Sequence, residues 1–141
     1  NHDLLKIDGE FICRPAAGSE HFVHLSILSR LIIQTLERYY IVVSILIRSG
    51  SGKLDADELE KQSTLMAERM SILFGLNAPE FFDKNLFKSF ITTLRNKGIL
   101  TLNSANKLAY GDDVNQVVED AKFVLNAELR QAIMEVTALD V

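Results

Sequence analysis

The chain has 141 residues, of which 48% are apolar and 24% are charged, and this balance excludes a disordered tail and indicates a folded domain. Its formal net charge of −4 argues against a nucleic-acid-binding protein, so no nucleic-acid partner is expected. Its one cysteine, Cys13, cannot form an internal disulfide, and we interpret it as a structural thiol in a reducing compartment.

Neither the beginning of the chain nor its most apolar run has the pattern of a signal peptide or a membrane-spanning helix. The first ten residues lack the basic start and apolar stretch of a signal peptide, and the absence of an initial Met predicts a segment from inside a longer protein. The most apolar run, residues 39–47, is preceded by Glu37 and Arg38. Because it is too short and too closely flanked by charge to span a bilayer, we predict a core helix in a soluble fragment.

The first part of the chain predicts a hairpin followed by a long helix. Residues 4–14 are apolar on both sides of Asp8-Gly9, a dipeptide that supplies the positive φ angles of a type I′ turn. Ser19 is placed to cap one long helix, or two helices joined in line, over residues 20–48, where apolar residues recur at three- and four-residue steps. The Gly- and Ser-rich residues 49–52 then predict a flexible link.

A second helix is predicted to begin near Asp55. Two pairs there have the spacing of a capping box, Asp55 with Glu58 and Asp57 with Glu60. The helix is expected to end at Gly75, and its apolar face is expected to carry Leu59, Met66, Met70 and Leu73.

A third helix and a second hairpin complete this stretch. The helix is predicted to open around residues 77–80 and to end at Gly98, with residues 99–110 forming the hairpin. Its predicted apolar face carries Phe82, Leu86, Phe90 and Leu94, with Phe87 and Ile91 beside it.

The end of the chain, residues 112–138, predicts an acidic helical tail. Residues 111–141 hold seven acidic side chains against Lys122 and Arg130, and Asn126 is placed to cap a last helix that carries Leu129, Ile133 and Val136. The elements together predict a mainly α single domain over residues 1–141 with two short β-hairpins, in which residues 53–110 form a winged-helix-like unit.

No motif in the chain predicts catalysis, a cofactor or a metal. The segment SGSGK over residues 49–53 has Ile47 where a phosphate-binding loop requires Gly, and Leu54 where it requires Ser or Thr. His21 and His24 are three residues apart without an evident third ligand. Met66 and Met70 fit core positions better than a ligand site. We therefore expect no catalytic, cofactor-binding or metal-binding residue.

One surface is a candidate for contact with a partner. Phe81, Lys84 and Lys88 lie on or just before the third helix, and the two lysines are one turn apart. They define a possible docking surface for another domain or for an anionic membrane, although a core Phe and an ordinary solvated Lys face are the simpler interpretation.

Residues 31–100 resemble the C-terminal region of the bacterial PlsB-type glycerol-3-phosphate 1-O-acyltransferases. The similarity includes LERY over residues 36–39, ELEKQS over residues 58–63 and MAERMSIL over residues 66–73. Its most specific block is GLNAPEFFDK over residues 75–84, and it continues from Phe87 through Arg95 to Gly98 and weakens after Tyr110.

The resemblance implies that the full-length parent transfers an acyl chain from acyl-CoA or acyl carrier protein to the 1-hydroxyl of glycerol 3-phosphate in phospholipid synthesis. It implies a peripheral location at the cytoplasmic face of the inner membrane. The family's catalytic block is His-x4-Asp, in which His is the general base. Ile7, Ser26 and Ser29 stand where Asp would follow His2, His21 and His24. The resemblance therefore carries no catalytic residue onto this chain, and the fragment alone is expected to be inactive.

Three roles stay open for the fragment. It is expected either to pack on the catalytic domain of the same chain as a scaffold or to act as a membrane- or protein-docking module. A winged-helix nucleic-acid-binding domain is a third reading, which the acidic charge disfavours.

Overall fold

The structure is a computed structural model that describes residues 4–74 and 82–138, and the chain divides into two compact units, Asn1–Thr35 and Leu36–Val141. The elements in chain order are β1 (Lys6–Asp8), β2 (Phe11–Cys13), α1 (Glu20–Ser49), α2 (Ala56–Phe74), α3 (Lys84–Asn96), β3 (Leu100–Leu102), β4 (Leu108–Tyr110), α4 (Asp112–Ala121) and α5 (Ala127–Ala138). The described residues thus confirm a mainly α fold with two antiparallel hairpins. The single domain and the winged-helix-like unit stay predictions.

The N-terminal unit begins with the predicted hairpin, but its turn is one residue later than expected. Asp8 pairs with Phe11 at the end of β1, so the two turn residues are Gly9 and Glu10. Gly9 has φ +61°, and Glu10 is not among the residues with positive φ. A type I′ turn requires positive φ at both positions, whereas a type II′ turn places glycine at the first.

The long helix α1 forms as one continuous element. The Ser19 side-chain oxygen accepts a hydrogen bond from the Phe22 N–H at 3.2 Å, which confirms the predicted cap. The apolar rhythm is continuous along α1, yet its buried residues are confined to the part in the second unit: Tyr40, Ile41, Val42, Val43, Ile45 and Leu46.

The capping box at the start of α2 is formed by Asp55 and Glu58. The Asp55 N–H donates to Glu58 Oε2, and the Glu58 N–H donates to Asp55 Oδ1, each at 2.9 Å. The alternative pair was wrong, because Asp57 lies inside the first turn of α2. Leu59, Met66 and Met70 are buried as predicted, whereas Leu73 is 64% exposed. The predicted end at Gly75 lies outside the described residues.

Helix α3 begins at Lys84 with Asp83 as its cap, and the predicted opening at residues 77–80 lies outside the described residues. Its buried residues are Phe87, Ile91 and Leu94, while Leu86 is 40% exposed. The predicted apolar face was therefore displaced around the helix. The end at Gly98 is confirmed, since its φ is +75° and its N–H donates to the Arg95 carbonyl at 2.9 Å.

The link between α1 and α2 is held along β4, so the prediction of a flexible link was wrong. The Ser51 hydroxyl accepts from the Tyr110 N–H at 2.9 Å and donates to the Tyr110 carbonyl at 3.2 Å. The Gly52 N–H donates to the Leu108 carbonyl at 2.8 Å, and the Leu108 N–H donates to the Leu54 carbonyl at 2.7 Å. These hydrogen bonds to a strand that is distant in the sequence fix the conformation of the link.

The acidic tail forms two helices, as predicted. Asn126 Oδ1 accepts from the Leu129 N–H at 2.7 Å and so caps α5, although α4 already ends at Ala121. Ile133 and Val136 are buried, and α5 packs against α2. The tail therefore contributes to the core of the second unit.

An ion-paired lysine joins the second hairpin to the start of α2. Lys107 Nζ lies 3.0 Å from Asp55 Oδ2 and 2.8 Å from Glu58 Oε2. The pKa of Asp55 is lowered mainly by the Glu58 backbone N–H and then by Lys107. The pKa of Glu58 is lowered mainly by Lys107, and the pKa of Lys107 is raised by both carboxylates.

This cluster predicts a pH-dependent contribution to stability. Because both folded carboxyl pKa values are lowered, the contribution is present above the unfolded values of about 4 and is lost as the pH falls through the folded ones. We expect Lys107→Gln to lower the unfolding temperature modestly near neutral pH and to flatten its decline between about pH 5 and about pH 2. Thermal unfolding followed by circular dichroism checks this, with the exposed Lys53→Gln as control. Equal pH profiles for the two variants would contradict it.

Candidate functional site

The histidines and the cysteine do not form a catalytic or metal site in the described residues. His24 Nε2 lies 4.0 Å from Glu20 Oε1 one turn earlier on α1, and His21 is exposed. Within residues 4–74 and 82–138, no group of three or more His, Cys, Asp or Glu side chains could hold a metal ion. Cys13 is a half-buried free thiol at the end of β2.

The described residues include only part of the predicted docking surface. Phe81 lies outside the described residues, whereas Lys84 and Lys88 are exposed on α3. Lys88 also lines a small cavity of about 120 Å³ together with Ala56, Asp57, Glu60, Ile91, Thr92 and Arg95. The acidic side chains from α2 there offset the positive charge of α3, which weakens its attraction for an anionic surface.

A more extensive candidate surface, which the sequence analysis missed, lies on the N-terminal unit. Ile7 and Ile12 are cross-strand partners, so their side chains share one face of the hairpin, and Phe11 lies on the other. Their side chains are 76%, 71% and 74% exposed. Both faces of the hairpin therefore present apolar side chains to solvent. The signal in the sequence was the pair of adjacent apolar residues Phe11 and Ile12 in the second strand, which must point to opposite faces.

The first half of α1 extends this exposed apolar character. A depression of about 360 Å³ lies in the same unit and is lined by Leu4, His24, Ile27 and Leu28. We call the following set the N-terminal apolar surface: Ile7, Phe11, Ile12, Val23, Ile27, Leu28, Leu31 and Ile32, all exposed. An exposed apolar set of this size is typical of a surface that contacts another protein part or a membrane.

None of the helices in the part of the chain that the structure describes has the length and apolar character needed to cross a bilayer. The buried segment of α1 instead packs within the second unit, where Tyr39 also stacks on Phe90 with ring centroids 3.7 Å apart.

Fold and surface together define a helical module that presents an apolar surface and, in the described residues, no cluster of catalytic side chains. The comparison with known families agrees with this description. Residues 1–103 match the family model for the glycerol-3-phosphate acyltransferase C-terminal region, and the chain belongs to that family.

Curated relatives share about half of the residues. A glycerol-3-phosphate acyltransferase of Pseudomonas fluorescens is 48% identical over 134 residues, which are 94% of this chain and 16% of the relative. The corresponding proteins of Pseudomonas putida and Ectopseudomonas mendocina are 49% and 47% identical, over 16% and 17% of their lengths. The chain thus spans about one sixth of these relatives. No solved structure matches it.

Proposed function

We propose that this chain is a non-catalytic part of a glycerol-3-phosphate acyltransferase and that it stabilises the enzyme by packing against the catalytic domain of the same polypeptide. The family match over residues 1–103 carries the proposal. The parent would transfer an acyl group from acyl-CoA or acyl carrier protein to the 1-hydroxyl of glycerol 3-phosphate.

The chemistry of the chain supports a non-catalytic role. A general base must lie within hydrogen-bond reach of the hydroxyl that it activates, and an oxyanion needs fixed donors. The sequence has no His-x4-Asp block, and neither His21 nor His24 has an acidic residue five positions later. The base therefore belongs to the remainder of the parent.

The N-terminal apolar surface supports packing on that remainder. An isolated two-stranded hairpin is marginally stable in water, and this one buries neither of its faces. The relatives are about six times as long as the matched segment, so they contain ample polypeptide to cover it. Covering apolar side chains is worth about 25 cal/mol per Å² of surface removed from water.

An acyl-transfer assay separates the role of this chain from that of the parent. We expect the full-length protein to release free CoA from acyl-CoA in the presence of glycerol 3-phosphate and the isolated chain to show no release above the uncatalysed rate. Adding the chain in trans to a version of the parent that lacks it should raise the unfolding temperature of that version. Activity of the chain alone, or an unchanged unfolding temperature, would contradict the proposal.

A peripheral location at the cytoplasmic face of the inner membrane accompanies this proposal for the parent. Exposed Lys84 and Lys88 support a contact with anionic headgroups, while the neighbouring Asp57 and Glu60 weaken it. Cosedimentation of the chain with anionic vesicles at low salt tests the contact, and the absence of binding removes it.

A further inference from the structure

Another cavity lies in the second unit and is lined by residues of α1, α4 and α5. Its volume is about 350 Å³, and its lining comes from three helices: Tyr40, Ser44, Ile47 and Arg48 of α1, Val118 of α4, and Met134 and Thr137 of α5. This is within the lower part of the size range of small-molecule sites, which are mostly apolar with a few polar groups that orient the ligand.

The lining changes character along α1. Tyr40, Ser44 and Arg48 are spaced by four residues and so share one helix face, over about 12 Å of helix length at 1.5 Å per residue. The cavity is therefore aromatic at one end and cationic at the other, with a hydroxyl between them. Val118 and Met134 add apolar side chains from α4 and α5.

The polar groups of the lining favour an anionic ligand. Arg48 is the one formally charged residue in the lining, and no ion pair joins it to another described residue. The Ser44 hydroxyl oxygen is inaccessible to solvent and has no hydrogen-bond partner within the described structure. By contrast, the Thr137 hydroxyl donates to the carbonyls of Ile133 and Met134, at 2.8 and 2.7 Å. Arg48, which is exposed, thus supplies a cationic donor at one end of the cavity, while the Ser44 hydroxyl lies without a partner beside its middle.

We propose that this cavity binds a single-chain anionic amphiphile, a fatty acid, with its carboxylate at Arg48 and its alkyl chain directed along the cavity toward Tyr40. A guanidinium matches a carboxylate in charge and in geometry. A peptide would leave backbone N–H and C=O groups unpaired against the apolar walls, which an alkyl chain does not. The site shares no residue with the N-terminal apolar surface, and the inference does not rest on the proposed function.

Calorimetric titration of the isolated chain with dodecanoate below its micellar concentration tests the site. Dodecyltrimethylammonium, which has the same alkyl chain and the opposite charge, is the matched ligand. We expect saturable binding of dodecanoate, about tenfold tighter than that of the cation. Decanoate should bind more weakly by about fourfold for each methylene removed.

Two variants locate the site, and a third is the control. Arg48→Gln should weaken dodecanoate binding about tenfold and leave the binding of the cation unchanged or tighter. Val118→Phe should fill the cavity and reduce the binding of both ligands. Arg30→Gln, which removes an exposed arginine earlier on the same helix, should change neither. Circular dichroism confirms the folding of each variant, and Arg48→Gln carries the test if Val118→Phe does not fold.

Three results would overturn the proposal: no saturable dodecanoate binding, equal affinity for the two dodecyl ligands, or equal effects of Arg48→Gln and Arg30→Gln. Binding to anionic vesicles without binding of monomeric dodecanoate would also overturn it and would point to a membrane contact instead.

Discussion

Phe87→Ala is expected to lower the free energy of unfolding of the second unit by about 3–5 kcal/mol. Phe87 is 1% exposed and lies on α3, which packs against α2. Truncation removes most of a buried ring and leaves a cavity that the fixed helices fill only in part. Because domains of this size are stable by about 5–15 kcal/mol, the variant would lose a large part of its stability.

Phe123→Ala is the matched control, since it is the same substitution at a side chain that is 90% exposed, in the turn after α4. It should change the free energy of unfolding by no more than about 0.5 kcal/mol. Urea denaturation followed by circular dichroism measures both variants. Similar losses for Phe87 and Phe123 would mean that α3 does not pack through the face that the structure assigns to it.

The helix ends were predictable because capping is local. Ser19, the pair Asp55 and Glu58, and Asn126 each satisfy backbone N–H groups within three residues, so the side chains that form the caps are adjacent in the sequence. The hairpins followed from similarly local signals. An error of one residue at Gly9 arose because Asp-Gly fits a type I′ turn, whereas the pairing of Asp8 with Phe11 places glycine first.

The buried faces were less predictable, because apolar residues outnumber the positions that packing can cover. Helix α3 has two adjacent apolar stripes, and the structure buries the stripe of Phe87, Ile91 and Leu94 while Leu86 stays partly exposed. Which stripe is buried depends on where α2 lies, and periodicity alone does not contain that position. The link over residues 49–52 was misread for a similar reason, since Ser51 contacts Tyr110, 59 residues away.

The exposure of the N-terminal apolar surface was even harder to predict from periodicity. The apolar rhythm predicts an apolar face along the whole of residues 20–48, yet Leu31 and Ile32 are 66% and 57% exposed while Ile41 and Val42 are fully buried. Apolar periodicity indicates that a helix face is apolar. It does not indicate whether the residues that cover this face belong to the same segment. For the N-terminal unit, the proposed partner is the remainder of the parent enzyme.

If the parent enzyme covers the hairpin, substitution of Phe11 should have a large effect on stability in the parent and a small one in the isolated chain. Phe11→Ala should leave the stability of the isolated chain within about 0.5 kcal/mol, since Phe11 is 74% exposed there. In the full-length parent, where we propose that the hairpin is covered, the same substitution should cost up to about 3–5 kcal/mol and lower the unfolding temperature. Thermal unfolding of both proteins, each with and without the substitution, measures the difference between the two contexts.

Lys6→Ala supplies the control, because Lys6 lies on the same face of the hairpin as Phe11 and is also exposed. It removes a polar side chain, so it should have little effect in either protein. If Phe11→Ala is as mild in the parent as in the isolated chain, the hairpin is not covered there. The N-terminal apolar surface would then no longer support the proposed packing on the catalytic domain. Membership of the family would be unaffected, because it rests on the match over residues 1–103.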